Sequence, residues 1–397
     1  MSTSINIGGY GSLELNGSAD HVLQAASAHH ESLVDAAQAI EQSLAAPLEF
    51  PALSQALVPG DRVAVAVGDG IPQVAEVVHG ALRTLEQAGV ERGSIDVVLA
   101  DAADEQSLAG KLGAARLAVH NPSDASQLCF MGLTSAGREL RINRHLFEAD
   151  IVLPLTCARH SEEHDARGVF QGLFPRFADE ETIRRFRQLE SWTSSARKRE
   201  LAKETAEAGW LVGAPLVVEI VPDRGDRVAA VLAGDPAAVA AEAQQKCAEV
   251  WSSKFPDSAS LVVAVVAGDQ REQTWDNIAR ALAAAGKVAG DGGAVAVVCD
   301  VRGRLGKSLG RLIRSDDREA LGHKLMGDTS DDNWCAWELI QALERGPVYL
   351  MSGLDADTVE ELGVAPIANK GELARLMSRH PSCIVLEGAQ HVVATVA

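Results

Sequence analysis

The stretch Asp61-Arg-Val-Ala-Val-Ala-Val-Gly-Asp69 decides the fold of this chain. Its uninterrupted run of apolar residues predicts a strand that is buried on both faces, as strands of parallel sheets are. The amphipathic pattern of residues 74–88 predicts a helix after it, and the apolar run 95–100 predicts a second strand. Because this β-α-β order forms a right-handed parallel unit, the sequence predicts an α/β fold.

The same alternation of apolar runs and amphipathic segments continues to the end of the chain. A polar, proline-containing connector at residues 251–256 separates two sets of such elements. Further strands are predicted at 117–120, 151–155, 261–266, 293–300, 348–351 and 383–386, and further helices at 274–285, 332–344, 356–362 and 371–380. We therefore predict two α/β domains with mainly parallel sheets, residues 1–255 and 256–397, and a ligand crevice between them.

Composition and charge exclude several classes of protein. The net charge of -19 argues against a nucleic-acid partner, because phosphate binding needs a basic surface. The six cysteines are scattered without a CxxC pair, which is typical of reduced thiols in the cytosol. Residues 1–7 lack the basic start of a signal peptide, and no apolar segment is long enough to span a bilayer. We expect a cytoplasmic protein without a membrane partner; the sequence leaves homo-oligomerisation open.

The densest group of chemically active side chains follows the predicted strand 151–155. Residues 157–168 read Cys-Ala-Arg-His-Ser-Glu-Glu-His-Asp-Ala-Arg-Gly, and strand ends of open α/β sheets face ligand crevices. His160 and His164 share a helix face at i, i+4 spacing, and together with Cys157 they offer donors suited to zinc or nickel. Alternatively, one imidazole acts as a general acid or base, because its ordinary pKa lies near neutrality. A salt-bridged, solvated helix start is the structural alternative.

Two loops and one pair of helices supply further candidates. Asp69 follows the first strand, where it could hold a ligand hydroxyl or cap the next helix. The small residues from Gly132 through Thr134 and Ser135 to Gly137 offer backbone N–H groups that could hold an anionic cofactor, or else form a plain turn. Arg280 and Trp334 lie on two predicted helices. Such tryptophans are usually core residues, although a tryptophan beside an arginine can line a carboxylate pocket.

From about Asp61 to the C-terminus, the order and spacing of these positions resemble the nickel-dependent lactate racemase family. The resemblance rests on Gly68-Asp69, Gly132–Gly137, Asn143, Ala149-Asp150, His160, Pro175, Glu181-Thr-Ile183, Val228–Pro236, Trp275–Leu282, Gly292-Gly293, Asp332-Asn-Trp334 and Val348-Tyr-Leu350. It implies racemisation of a 2-hydroxy acid with a nickel pincer nucleotide, which takes a hydride from C2 and returns it to the other face. Two histidines handle the hydroxyl proton, a lysine tethers the cofactor and a further histidine ligates nickel.

Carried over to this chain, the resemblance makes His160 an acid/base residue and Asp69 a substrate- or cofactor-contacting residue. Trp334 matches a pocket tryptophan, and Arg280 stands where a lysine is expected. Three positions depart from the family. Ala100-Asp-Ala-Ala-Asp104 replaces a Gly-x-His-Arg motif, Arg167-Gly-Val-Phe-Gln171 lacks the tethering lysine, and Arg184-Arg-Phe-Arg187 replaces the nickel ligand. Arginine cannot substitute there, because it stays protonated and ligates metals poorly.

We therefore expect a divergent lactate-racemase-like isomerase that acts on a small 2-hydroxy acid or a related anion. His160, His164 and Asp69 are the predicted catalytic residues, and Arg159, Arg280 and Trp334 are predicted to contact the substrate. A non-catalytic ligand-binding paralogue is one alternative. The other is a metal-dependent enzyme that uses Cys157, His160 and His164 with nickel or zinc and without the pincer, so the expected cofactor is the pincer, a divalent metal or none.

Overall fold

The computed structural model describes residues 3–15, 22–25, 33–159, 170–315 and 317–397. These residues form two compact units, each with its own six-stranded sheet. The first-sheet unit comprises the described residues of His30–Phe186 and Ser191–Cys247. The second-sheet unit comprises those of Met1–His29, Arg187–Glu190 and Ala248–Ala397.

Strands and helices alternate along most of the chain. The strands are β1 (Thr3–Asn6), β2 (Ser12–Leu15), β3 (Val22–Ala25), β4 (Val63–Val67), β5 (Ile95–Leu99), β6 (Arg116–Val119), β7 (Leu128–Leu133), β8 (Glu139–Asn143), β9 (Ile151–Cys157), β10 (Val217–Asp223), β11 (Arg227–Gly234), β12 (Ser252–Phe255), β13 (Ala259–Val265), β14 (Ala289–Val298), β15 (Val348–Met351), β16 (Ala365–Pro366), β17 (Cys383–Glu387) and β18 (Val393–Val396). The helices are α1 (Ala36–Ala45), α2 (Leu53–Ala56), α3 (Val74–Gln87), α4 (Glu105–Leu108), α5 (Arg144–Phe147), α6 (Glu180–Arg187), α7 (Glu190–Thr193), α8 (Ser195–Val212), α9 (Pro236–Trp251), α10 (Trp275–Gly286), α11 (Lys307–Ile313), α12 (Arg318–Leu325), α13 (Asn333–Arg345), α14 (Ala356–Glu361) and α15 (Lys370–Arg379).

The first sheet has the strand order β11-β10-β9-β4-β5-β6, and only its β10–β11 pair is antiparallel. All five residues of β4 are buried. Because successive side chains of a strand point to opposite faces, its three valines join the cluster that contains α1 and α3. Its two alanines join the cluster that contains Phe170 and Phe177. Alanines on that face leave room for the segment that carries these phenylalanines.

The second sheet is parallel throughout, with the order β16-β15-β14-β13-β17-β3. The predicted α/β class with mainly parallel sheets is therefore confirmed. The strand β3 lies at the edge of this sheet beside β17, although it is far from β17 in the sequence. The second-sheet unit therefore includes an N-terminal segment, and the compact units differ from the continuous stretches 1–255 and 256–397. Residues 252–255, in the predicted connector, form β12, which pairs with β18. Among the described helices, none combines the length and apolar character needed to cross a membrane.

Candidate functional site

Asp69 forms an ion pair at the carboxyl edge of the first sheet. It follows Gly68, whose N–H donates to the Leu155 carbonyl at 2.9 Å, and a Cβ on Gly68 would lie 3.3 Å from that oxygen. This close approach of two backbones favours glycine and brings Asp69 to the end of β9. The guanidinium of Arg176 forms the ion pair with Asp69. Arg176 lies between Phe174 and Phe177, both fully buried, which anchor its segment against the sheet.

The charge of Asp69 is fixed by its arginine neighbours. Burial would raise the pKa of this carboxyl, but the ion pair with Arg176 and the nearby charge of Arg159 hold the pKa at about 2. The side chains of Asp69 and Arg176 remain 37% and 32% exposed, so a ligand can reach both. An ionised Asp69 can accept a hydrogen bond from a ligand hydroxyl or orient the two guanidiniums. It is a poor proton carrier near neutral pH, because its pKa lies far below that range.

The predicted residues after β9 are described only in part. Cys157 is half-buried at the end of the strand, and Ala158 donates its N–H to the Ile220 carbonyl at 2.8 Å. His160 and His164 lie outside the described residues, so their roles as acid, base or metal ligand stay predictions. Because β4 pairs with β9 in register, Asp69 and Arg159 emerge from neighbouring strand ends, as the sequence predicts.

Two ionisable groups beside β9, one half-buried and one buried, were missed by the sequence analysis. Glu219 lies on β10 directly opposite Thr156, and burial raises its pKa to about 7. The thiol of Cys247 on α9 has its pKa raised by burial first and then by the fields of Cys157 and Glu219, while Arg159 opposes them. These groups are therefore electrostatic neighbours. No sequence signal distinguishes Glu219, because strand alternation does not show that a carboxyl lacks a strong counter-ion.

The turn from Gly132 to Gly137 connects β7 to β8. The N–H of Thr134 donates to the Arg138 carbonyl and that of Gly137 to the Thr134 carbonyl, both at 2.8 Å. The N–H and hydroxyl of Ser135 donate to the Glu207 carboxylate at 2.9 and 2.6 Å. These three N–H groups therefore all donate to acceptors within the protein, as in the plain turn that is the alternative interpretation of this sequence. Their role in binding an anionic cofactor stays a prediction.

Arg280 and Trp334 meet in the second-sheet unit. Arg280 on α10 places its guanidinium carbon 5.4 Å from the centroid of the Trp334 ring on α13. The neighbouring thiol of Cys335 donates to the Asp276 carboxylate of α10 at 3.1 Å and joins the two helices. Both residues lie on helices, as the sequence predicts, and a cation–π contact of this kind can line a carboxylate pocket. Contact of either residue with a substrate stays a prediction.

Asp332, one of the residues that carry the family resemblance, has a structural contact. Its carboxylate accepts the N–H groups of Ser308 and Leu309 at 3.0 and 2.9 Å and thereby caps the start of α11. A Cβ on Gly306 would lie 2.2 Å from this carboxylate. A side chain at Gly306 would therefore displace the carboxylate of Asp332, the residue that directly precedes α13.

Glu338, on the next turn of α13, was also missed. Its side chain is buried, and burial raises its pKa to about 7, although the charge of Arg345 favours the ionised form. Asp69 and Arg159 belong to the first-sheet unit, whereas Arg280 and Trp334 belong to the second. A crevice that combines them stays a prediction.

The residues that would hold a nickel pincer nucleotide do not fit that group. Within the described residues, no three His, Cys, Asp or Glu side chains are grouped to hold a metal ion. Where the resemblance expects a nickel ligand, Arg184 and Arg185 form ion pairs with Glu180 and Glu204. The sequence has no lysine between Lys111 and Lys198 to supply the tether. A metal bound by Cys157 together with His160 and His164 is not tested by this, since both histidines lie outside the described residues.

Comparisons with known proteins agree with the fold. The sequence model described as lactate racemase N-terminal domain matches residues 9–189. No curated protein matches the sequence. The structure of the lactate racemase apoprotein from Thermoanaerobacterium thermosaccharolyticum is similar with a TM-score of 0.78 and 15% identity, over 99% of this chain and 100% of that one. A protein from Thermotoga maritima is similar with a TM-score of 0.69 and 14% identity, over 91% and 98%.

The two solved structures, at these identities, show that the fold is shared. The family match covers the stretch that contains Asp69, Arg159 and Arg176. Residues 9–189 match the lactate racemase N-terminal domain, and the chain shares its fold with the lactate racemase apoprotein.

Proposed function

We propose that the protein is a divergent lactate-racemase-like isomerase that inverts the configuration of a small 2-hydroxy acid or a related anion. The match of residues 9–189 to the lactate racemase N-terminal domain and the shared fold support a racemase-like function in general terms. The observation that carries the specific proposal is the Asp69 cluster at the carboxyl edge of the first sheet: Asp69, its ion-pair partner Arg176 and the nearby charge of Arg159. Such an edge is where open α/β sheets bind small ligands.

Each member of this cluster has a role that follows from its charge. A guanidinium binds a carboxylate through two parallel hydrogen bonds, so Arg159 and Arg176 suit the substrate's carboxylate. Asp69, held ionised, suits the 2-hydroxyl as a hydrogen-bond acceptor. His160 is proposed as the base that takes the proton from C2, because the ordinary pKa of an imidazole lies near neutrality. The electron pair of the broken C2–H bond is then held in an enediolate, whose negative charge the two guanidiniums suit. His164 is proposed as the acid that returns a proton to C2 on the opposite face.

The pincer nucleotide has no step in this proposal, because neither a tethering lysine nor the expected nickel ligand is present. This loss favours a second candidate function, a ligand-binding paralogue without turnover. The specific observation is that arginines occupy the place of the expected nickel ligand. Arg184 and Arg185 form ion pairs with Glu180 and Glu204 there. The same anion would then be bound by the Asp69 cluster and released unchanged.

An assay of the full chain with each lactate enantiomer and related 2-hydroxy acids, followed by chiral chromatography, tests the proposal. We expect Asp69→Asn to lower kcat/KM by about 10- to 100-fold, the effect of losing one charged hydrogen-bonding group. The matched control is Asp124→Asn, whose carboxylate accepts hydrogen bonds from Ser126 and Gln127 within its own turn. Metal analysis and the intact mass of the purified chain identify any metal or covalent adduct.

The outcomes separate the candidates. Racemisation that survives His160→Ala at full rate contradicts the acid/base role of His160. Saturable binding of a 2-hydroxy acid without turnover, measured by calorimetry, supports the ligand-binding paralogue. Turnover that requires a metal and is lost in Cys157→Ser supports the metal-dependent alternative.

A further inference from the structure

His120 and Asn143 form a hydrogen-bonded pair in the interior of the first-sheet unit. His120 directly follows β6, and Asn143 is the last residue of β8. Only 6% of His120 and 0% of Asn143 is exposed. Nδ2 of Asn143 lies 3.1 Å from Nδ1 of His120, and Nε2 of His120 lies 2.8 Å from the carbonyl oxygen of Ala178. Since water does not reach such buried groups, each donor among them needs an acceptor within the protein.

The contacts of this pair determine which ring nitrogen of His120 carries the proton. The side-chain oxygen of Asn143 accepts the backbone N–H of His145 at 2.9 Å, so the amide NH₂ group is the part that faces His120. Nδ1 must therefore accept a hydrogen bond, whereas Nε2 must donate one, because the Ala178 carbonyl can only accept. His120 is thus a neutral imidazole with its proton on Nε2. Burial lowers its pKa, which agrees with the neutral form, although the bond to Ala178 and the charge of Asp179 oppose that shift.

The His120–Asn143 pair holds the backbone next to Arg176. Asn143 donates its own backbone N–H to the Phe177 carbonyl at 2.8 Å. Together with the bond from His120 Nε2, this bond holds the two consecutive carbonyls that follow Arg176. The His120 ring also lies beside the Phe177 ring, with their centroids 5.7 Å apart. Because Arg176 is the ion-pair partner of Asp69, the pair acts on the candidate site through this backbone.

The directions of these hydrogen bonds add something that apolar packing does not supply. Phe174 and Phe177 anchor the segment by burial, but the hydrophobic effect has no preferred direction. Hydrogen bonds do have one, so bonds to two consecutive carbonyls fix the peptide planes beside Arg176. A guanidinium binds a carboxylate through two parallel bonds only when its plane is correctly oriented. The backbone that carries Arg176 therefore needs a defined orientation.

We propose that His120 and Asn143 are positioning residues, which fix the backbone of residues 177–178 and thereby keep the Arg176 guanidinium at Asp69 for an anionic substrate. The role toward substrate rests on the proposed function, in which Arg176 binds the carboxylate of that anion. The hold on Arg176 itself does not depend on any activity. His120 transfers no proton in this proposal, because both of its ring nitrogens are bonded within the protein.

The first test reads the protonation of His120 by ¹⁵N NMR of the full chain labelled at histidine. The chain has 11 histidines, and His120→Gln identifies the signals by their loss. At neutral pH we expect a neutral ring with its proton on Nε2. Asn143→Asp places a carboxylate opposite Nδ1 instead of an amide donor, so in this variant we expect both ring nitrogens to carry protons. Asn121→Asp adds the same charge at an exposed position; as the matched control, it leaves the protonation of His120 unchanged.

The second test reads the position of Arg176 through the titration of Asp69, by carboxyl ¹³C NMR of aspartate-labelled protein. His120→Phe keeps a ring in the same place but makes neither hydrogen bond. We expect it to raise the pKa of Asp69 by up to about one unit, because the Arg176 guanidinium is no longer held at the carboxylate. In His120→Gln the side-chain amide can still donate to the Ala178 carbonyl, so the pKa of Asp69 should stay close to about 2. His79→Phe, at an exposed position of α3, is the matched control.

A proton on Nδ1 of His120, or a charged ring at neutral pH, overturns the proposal, and this measurement on the unaltered chain needs no variant to fold. An Asp69 pKa that is the same in His120→Phe as in the unaltered chain overturns it as well. In turnover, His120→Phe is expected to raise KM for the 2-hydroxy acid by about 2- to 10-fold, the effect of one weakened hydrogen bond, with a smaller change in kcat. His120→Gln should restore most of that loss. If the chain turns over nothing while the Asp69 titration responds to His120→Phe, the proposed function fails and the hold on Arg176 stands.

Discussion

Asp69 in the first-sheet unit and Glu338 in the second-sheet unit are carboxyl groups beside candidate substrate-binding side chains, but their pKa values are shifted in opposite directions. Asp69 has the Arg176 guanidinium in direct contact and Arg159 nearby, and its pKa is about 2. Glu338 is buried beside an indole, with a more modest effect of Arg345, and its pKa is about 7. The presence of a contacting cation, rather than burial by itself, decides which carboxyl is ionised.

This difference assigns different work to the two groups. A carboxylate that stays ionised across the physiological range offers a constant negative charge to a ligand. A carboxyl that titrates near neutrality makes its surroundings depend on pH. Glu219 in the first-sheet unit resembles Glu338 in this respect, since burial alone accounts for its raised pKa of about 7.

The largest expected effect concerns the pH dependence of stability. For Glu338 the folded-state pKa of about 7 lies above the ordinary value of 4.5. Its contribution to stability is therefore complete below pH 4.5 and is lost as the pH rises through 7. Glu338→Gln should remove this loss. Between pH 5 and pH 8, the unfolding free energy of the unaltered chain should therefore fall by up to about 3 kcal/mol more than that of the variant. Urea unfolding at the two pH values measures it.

Glu219→Gln is expected to behave in the same way, because its pKa is shifted by the same cause. The exposed Glu344→Gln serves as the control and should show the pH dependence of the unaltered chain. Asp69→Asn should show the opposite sign, since a depressed pKa contributes stability that is lost only as the pH falls through about 2. If the Glu338→Gln variant loses stability with rising pH as steeply as the unaltered chain does, the pKa of Glu338 is not raised and the contrast with Asp69 is wrong.

The next effect concerns the arginine that holds Asp69. Arg176→Gln removes the contacting cation but leaves Arg159, so the pKa of Asp69 should rise by about one unit. Carboxyl ¹³C NMR of aspartate-labelled protein measures the titration. Arg144→Gln, which breaks an exposed ion pair with Glu148, is the matched control. An unchanged pKa of Asp69 in Arg176→Gln would show that the ion pair is not what keeps this carboxyl ionised.

The smallest effect sharpens the contrast between buried and exposed charges. Arg184 and Glu180 form an exposed i, i+4 pair on α6. Arg184→Gln should lower the unfolding free energy by about 0.5 kcal/mol or less, because solvent screens such pairs. Thermal unfolding detects it. A loss of several kcal/mol would mean that Arg184 makes a further stabilising contact in the segment where the resemblance expects a nickel ligand.

The central strands of both sheets could be predicted from the sequence because they are continuous apolar runs. The run 61–69 contains β4, and the run 261–266 overlaps β13. The strands β3 and β12 are among those that were missed. They are short, and each is completed by a strand near the C-terminus, β17 and β18 respectively. Pairing partners at that sequence distance leave no local pattern.

The candidate site divides in the same way. Asp69 was predicted because it follows a strand, and Arg280 and Trp334 were predicted because the family resemblance marks their positions. Arg176, Glu219 and Glu338 were not predicted as site residues. Their importance depends on what lies next to them in space: a carboxylate for Arg176, and apolar surroundings for the two glutamates. Burial and counter-ions are tertiary properties, which residue type and spacing do not reveal.

The edge strand β3 has a consequence for how the chain is made. On the ribosome, β3 is synthesised more than 350 residues before its partner β17. The first-sheet unit lies between them and can fold while the second sheet still lacks its members. Such long-range pairing slows folding. A fragment that begins after Cys247 would expose the open edge of β17, and open edges of this kind promote aggregation.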